Sequence, residues 1–322
     1  MEKTTPKISI LLAVFNAERF IASTMDSILE QSYKDWELIV QDGASKDKTV
    51  EIVKGYMAKH DNIKLFSEPD KGQGDALYKA SLQAKGEFLI YSSASDGYLT
   101  KEWFAKCVEV FESDPAVSLV WGMPFDMTEE GALEGPHYTY AHFWDKAYMP
   151  EEKFGPMKDI SFASKLMRRV TAHDGGSFVD WMKKVNIFRM TNLVHAIGHE
   201  DVPQKEAWFD YWLKTGCIFP DGNMLIARKA FFECMPAYSG EPSPNWMEFF
   251  YNFNARGYLA YCLPIPANYG RIHAGHLGEA VMRFNLNNRK EYYEKLGVLR
   301  KQIQSGKSVV KFIDRSGNDI KK

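Results

Sequence analysis

Along its first 122 residues the chain alternates between unbroken apolar runs and segments whose apolar positions recur at helical spacing. "ISILLAVF" is apolar almost throughout, and Phe20, Ile21, Met25, Ile28 and Leu29 then recur as one helix face before "WELIV" resumes a strand-like run. Val50, Val53 and Met57 mark a second helix, "NIKLF" a third strand, Ala76, Leu77 and Ala80 a third helix, and "EFLIY" a fourth strand. A strand is apolar on both faces when helices cover both, so the pattern predicts an α/β layer structure with a mostly parallel central sheet. The helix "KEWFAKCVEVF", with Thr100 expected as its N-cap, and the strand "VSLVWG" continue it. From "GEAVMRFNLNNRKEYYEKLGVLRKQIQ" onward the chain reads as a C-terminal helix.

Composition narrows the class. A content of 45% hydrophobic and 25% charged residues is that of a soluble globular protein. A net charge of -2 excludes the basic excess of a nucleic-acid partner. Cys107, Cys217, Cys234 and Cys262 have neither zinc-site spacing nor the density of a disulfide scaffold, and read as reduced thiols of a cytoplasmic protein. The first apolar run lacks a signal-peptide cleavage pattern and reads as a strand, and no run is long enough to span a bilayer.

In α/β sheets ligands bind beyond the carboxyl ends of the strands. Four polar clusters fall there: Asn16, "QDGASKDKT", "SEPDKGQGDA" and "SSASDG". Any one of them could be a turn or a helix cap, with Asp47 or Ser45 satisfying free amides. Neither the close glycines of a dinucleotide fingerprint nor the GK[ST] of a P-loop is present. Together the clusters offer carboxylates for a ribose or base, amides and Lys71 for phosphate, and Asp96 for a cation.

Three segments, "ISILLAVFNAERFIASTMDSILEQSYKDWELIVQDGASKDKTVEIV", "SEPDKGQGDALYKASLQAKGEFLIYSSASDGYL" and "ARGYLAYCLPIPANYGRIHAGH", together resemble a family 2 glycosyltransferase of the GT-A fold. The likeness covers about Lys7 to Gly122 and again about Asn223 to His276. It implies a Rossmann-like α/β fold with acceptor-side and C-terminal helical elements. Residues 1–122 would form the nucleotide-sugar-binding half, 123–276 the acceptor-binding and catalytic half with an enlarged insertion, and 277–322 a C-terminal helical extension. By position, Asp42 resembles the residue that binds the donor's nucleoside base, with the backbone of Ala13 to Phe15 lining the same recess. Asp70, Lys71, Gln73 and Asp75 match a segment that lies against nucleoside and diphosphate. Ser95 and Asp96 fall in the family's DXD-type motif, where Ala94 and Gly97 replace the usual first polar residue and the last acid. The resemblance implies Mn2+ or Mg2+ held by Asp96, with His273 in reach, while Arg271 and His273 close over the diphosphate. A cation on a diphosphate takes many of its ligands from phosphate and water, so one protein carboxylate can suffice.

The family's catalytic base lies in an acidic segment opening the helix before "ARGY". Asn245 and Trp246 replace its first pair, leaving Glu248 as the expected base, with Glu241, Asp221 and Asp174 as rivals. "GNMLIARKAFF" is similar to the acceptor-side strand and turn, which would bring Asn223, Met224 and Arg228 near the acceptor. The implied reaction is inverting transfer from a UDP- or GDP-sugar to a hydroxyl of a surface glycan or other glycoconjugate. Alternatives are a non-catalytic glycan-binding or scaffold protein and a nucleotidyltransferase. The aromatic stretch "PFDMTEEGALEGPHYTYAHFWDKAYMPEEKFGP" could stack on sugar rings or pack on the core. "FVDWMKKVNIFRMTNLVHAIG" reads as a helix covering the sheet or lying in an anionic membrane interface. The basic tail reads most simply as a solvated terminus, and could also serve a peripheral contact at the cytoplasmic face of the inner membrane or a homo-oligomer surface.

Overall fold

The computed structural model describes residues 5–137, 201–273 and 279–320, with the side chains of 279–283 and 286 left aside. In the first half, strands β1 (Ile8–Val14), β2 (Trp36–Asp42), β3 (Ile63–Ser67) and β4 (Phe88–Ser93) alternate with helices α1 (Ile21–Leu29), α2 (Thr49–Met57) and α3 (Gln73–Gln83). These are the elements that the periodicity predicts. β1 and β2 are buried at every position, whereas β3 is mostly half-buried because it lies at the sheet edge. β5 (Gly97–Tyr98), α4 (Trp103–Ser113), β6 (Val117–Met127) and β7 (Leu133–Pro136) follow. After the undescribed stretch come α5 (Glu206–Thr215), β8 (Leu225–Ala227), α6 (Arg228–Cys234), α7 (Trp246–Ala255), β9 (Leu259–Arg271) and α8 (Glu279–Gln304).

The strands form one sheet in the order β3-β2-β1-β4-β8-β6-β9-β5, with β7 paired to β6. The sheet is mixed, where the sequence suggests a mostly parallel one. β1 to β4 run parallel and β6 pairs β9 in parallel, but β8 is antiparallel to both β4 and β6, and β5 and β7 are antiparallel to their neighbours. The physical reason is local: β8 is only three residues long and enters from the end at which β4 leaves. The expected division after residue 122 falls inside β6, where the register with β9 shifts at Gly122/Met123. The two halves therefore share a sheet.

Trp103, Trp121, Trp208, Trp212, Phe219 and Phe250 are almost wholly buried in the core. Packing of that density makes each aromatic face specific to its neighbours, as in the stack of Trp208 on Phe219 at 4.9 Å. Cys107, Cys234 and Cys262 are buried, Cys217 is half-buried, and all four thiols are free. Thr100 does not cap α4: its hydroxyl donates to the Pro266 carbonyl at 2.5 Å, and the Gln31 side chain accepts from Phe104 N at 3.1 Å instead. The connection from β5 to α4 is thereby tied to β9, leaving Gln31, just past the end of α1, to supply the cap. Among the described residues no helix is long and apolar enough to cross a membrane. The aromatic stretch from residue 138 on, the amphipathic segment at 178–198, Asp174 and His276 lie outside the described residues.

Candidate active site

The loops after β1 and β2 are stitched together before any ligand is considered. Asn16, in a left-handed conformation with φ 47°, donates its N–H to Ser45 Oγ at 2.8 Å and accepts from Lys46 N at 2.9 Å. Asp47 accepts from Thr49 N, the first amide of α2, as its sequence position suggests, and from Glu18 N in the loop after β1, both at 3.0 Å. Phe15, just beyond β1 and Ala13, is 62% exposed, an aromatic face left open at the strand end.

Asp42 ends β2 and is fully buried. One carboxylate oxygen accepts from Ser45 Oγ at 2.5 Å and the other from Ser67 Oγ at 2.6 Å, while Ser45 N donates to both. Beside it, Gly43 leaves room for Asp70: a Cβ there would stand 2.7 Å from Asp70 Oδ2. Burial pushes the Asp70 carboxyl up, the Gly72 amide opposes this, and Asp75 and Asp42 add to it. Asp75 accepts from Lys71 N at 3.1 Å and pairs with Lys79 at 3.3 Å, so it caps the start of α3; Gln73 is its first residue. The Lys71 side chain is exposed. Gly72 (φ 111°) and Gly74 sit under the backbone of Glu241 to Ser243, where a Cβ would come within 2.7 Å of a carbonyl oxygen. The loop before α7 is thus seated on the helix that carries the second acidic cluster.

Asp96 lies between β4 and β5 beside the buried Ser95. Thr24 Oγ1, on the buried face of α1, donates to the carbonyls of Ala94 at 2.9 Å and Asp96 at 2.5 Å and so clamps the turn. The Asp96 carboxylate accepts from Ser93 Oγ at 2.7 Å and from Arg271 N at 3.3 Å. Burial raises its pKa, against the pull of these donors and of the His273 and Arg271 charges. Gly97 takes the place of a following acid for a steric reason: a Cβ there would lie 2.5 Å from Tyr269 Oη and 2.8 Å from Ser27 Oγ. Arg271 is buried, donates to the Thr128 and Glu129 carbonyls and lies 5.0 Å from the Phe20 ring, against which His273 also packs.

The antiparallel insertion of β8 brings Asp221 to the same place. The Gly222 backbone (φ 86°) is close enough that a Cβ would stand 3.9 Å from Asp96 Oδ2. Asp221 is exposed to solvent there. Desolvation by the surrounding protein first, and the Asp96 carboxylate second, push its pKa up to about 6. Tyr91 on β4 feels both carboxylates, and its buried hydroxyl has no hydrogen-bond partner.

Glu248, the expected base, opens α7 and its carboxylate is engaged by Lys295. Asn223 is wholly buried and spends its amide on the Gly122 carbonyl and Asn268, while Arg228 donates to the Gly86 carbonyl at the opposite end of β4. These two side chains therefore brace the sheet. Sequence reasoning missed Thr24 and Tyr91. Thr24 had a signal, being a polar residue on the stripe of Ile21, Met25 and Ile28; Tyr91 inside an apolar strand had none.

Among the described residues no three His, Cys, Asp or Glu side chains converge on one point. Asp96, with His273 near it, nevertheless suits a divalent cation carried on a diphosphate, because oxygen is the ligand such ions take and phosphate and water supply the rest.

The sequence model of Glycosyl transferase family 2 matches residues 9–175, and the chain belongs to that family. EpsE of Bacillus subtilis (strain 168) is 39% identical over 93 residues, 28% of this chain and 34% of that protein, so the chain matches about a third of that relative's length. The S. aureus TarS crystal structure superposes with a TM-score of 0.51 at 15% identity, covering 94% of this chain and 42% of TarS. The structure of GalNAc-T7 with UDP, GalNAc and Mn2+ gives a TM-score of 0.51 at 13% identity, over 94% of this chain and 52% of that one. At such identities the likeness is one of fold, the α/β fold of nucleotide-sugar transferases.

Proposed function

We propose that the chain transfers a sugar, with inversion, from a UDP- or GDP-sugar to a hydroxyl of a surface glycan or other glycoconjugate. The supporting observation is the joining at one sheet edge of a carboxylate-lined recess, Asp42 with Asp70, and a second recess in which Asp96 meets Arg271 and His273. The first recess suits a nucleoside, which presents N–H and O–H donors, with Phe15 as a face for the base. In that role Asp42 exchanges a serine donor for one on the base. The exposed Lys71 and the start of α3 at Gln73 suit phosphate.

Asp96, with His273 beside it, would hold Mn2+ or Mg2+, and such an ion when bound neutralises charge on the departing diphosphate. Arg271 supplies fixed positive charge to the same leaving group, and its burial prevents solvent from weakening it. The GalNAc-T7 structure, which contains UDP and Mn2+, is consistent with this reading.

Incubating the full chain with a panel of UDP- and GDP-sugars, with and without Mn2+, and following both hydrolysis and transfer tests the proposal. Metal-dependent release of one nucleoside diphosphate is expected. Glycan binding with no affinity for any nucleotide would overturn it in favour of a scaffold.

A further inference from the structure

We propose that Asp221 is the carboxylate that takes the proton from the acceptor hydroxyl, with the unpartnered Tyr91 hydroxyl nearby to receive a ligand oxygen. The inference rests on the transferase reading above. Inverting transfer needs a base on the side of the sugar opposite the leaving diphosphate. The two positions that carry acids in the resemblance are closed to that task here. Asn245 Oδ1 accepts from Glu248 N at 3.1 Å as the cap of α7, and Trp246 is buried, 5.8 Å from the Tyr91 ring. Glu248, the next acid, is held by Lys295.

Asp221 is an acid left open next to the Asp96 turn. β8 runs antiparallel to β4, with Phe88 opposite Ala227 and Leu89 opposite Ile226, so the residues before β8 lie alongside the carboxyl end of β4 and the Asp96 turn. Asp221 is solvent-accessible there, next to Gly222, whose backbone faces the Asp96 carboxylate. An independent observation comes from Tyr91. It is 7% exposed, lies within electrostatic reach of both Asp221 and Asp96, and has a hydroxyl with no partner in the protein. A buried hydroxyl without a partner costs stability, so its retention beside two carboxylates points to a ligand oxygen that completes it.

In the step itself the acceptor oxygen forms a bond to the anomeric carbon while the bond from that carbon to the phosphate oxygen breaks. The acceptor proton passes to the Asp221 carboxylate, and the bonding electron pair leaves with the nucleoside diphosphate. Asp221 later returns the proton to water, so no other reagent is consumed.

The test uses the full chain, UDP and GDP as binding probes with Mn2+, and the donor and acceptor that the parent turns over. Asp221→Asn is expected to keep nucleoside-diphosphate affinity within about threefold while kcat falls by about 100- to 10,000-fold, the range for loss of a general base. Asp221→Glu should recover part of the loss, and Tyr91→Phe should lower kcat with nucleotide affinity unchanged. An Asp221→Asn protein that transfers at the parent rate, or that loses Mn2+-dependent nucleotide affinity in step with turnover, overturns the assignment. A parent that binds neither nucleotide and turns over no donor overturns the transferase reading itself.

Discussion

Lys295 Nζ on α8 lies 2.5 Å from Glu248 Oε2 on α7, joining the C-terminal helix to the helix that precedes β9. The pair is partly exposed, with side chains 43% and 24% accessible, so its stabilisation is small. Glu248→Gln is therefore expected to lower stability by less than about 1 kcal/mol and to keep the parent rate of transfer. A melting curve and an initial rate on the same preparation check both. Loss of most transfer with melting unchanged would restore Glu248 as the base.

Thr24 carries a second prediction. Removing its hydroxyl leaves the carbonyls of Ala94 and Asp96 without this donor, at a cost of about 1–3 kcal/mol. Thr24→Val should also weaken the Mn2+ response of nucleoside-diphosphate binding, because the Asp96 turn is no longer clamped. Thr24→Ser should restore the metal response. Calorimetric titration of UDP or GDP with and without Mn2+ separates this loosening from general destabilisation.

The Asp96 and Asp221 carboxyls set a pH dependence of unusual sign. Both have raised pKa values in the fold, Asp221 to about 6, so the native state binds more protons than the unfolded chain between the ordinary carboxylate range and about pH 6. Stability therefore falls as pH rises through that window and is lowest above it. Asp221→Asn should raise the melting temperature near pH 7 and change it little near pH 4. Parallel melts of the two proteins across this range check the sign. Equal shifts at both pH values would show that the two carboxylates are not coupled to folding.

Gly97 gives a steric prediction. Gly97→Ala places a methyl 2.5 Å from Tyr269 Oη and 2.8 Å from Ser27 Oγ, both in buried side chains, and should cost about 1–3 kcal/mol through overpacking. Gly97→Asp, which would supply the acid that the family motif has there, should be worse than alanine and should not improve metal binding. Chemical denaturation of the three proteins checks the ranking.

Much of the nucleotide-side architecture was legible from local pattern. The unbroken apolar runs of β1, β2 and β4 report burial on both faces, and the three-and-four spacing of Ile21, Met25 and Ile28 reports one buried helix face. The polar clusters of Asp42, Asp70 and Asp96 then fall at strand ends by chain order alone. Such readings succeed because periodicity is a property of each element considered by itself. It cannot report which distant element lies against it. Arg271 N reaches Asp96 across 175 residues, Lys295 claims Glu248 across 47, and the antiparallel entry of β8 brings the backbone at Gly222 to Asp96. Those pairings are decided by how short strands and helices pack into one mixed sheet. The same packing gave Glu248 a lysine partner and put Asp221 and Tyr91 within electrostatic reach of Asp96, relationships that only the tertiary structure shows.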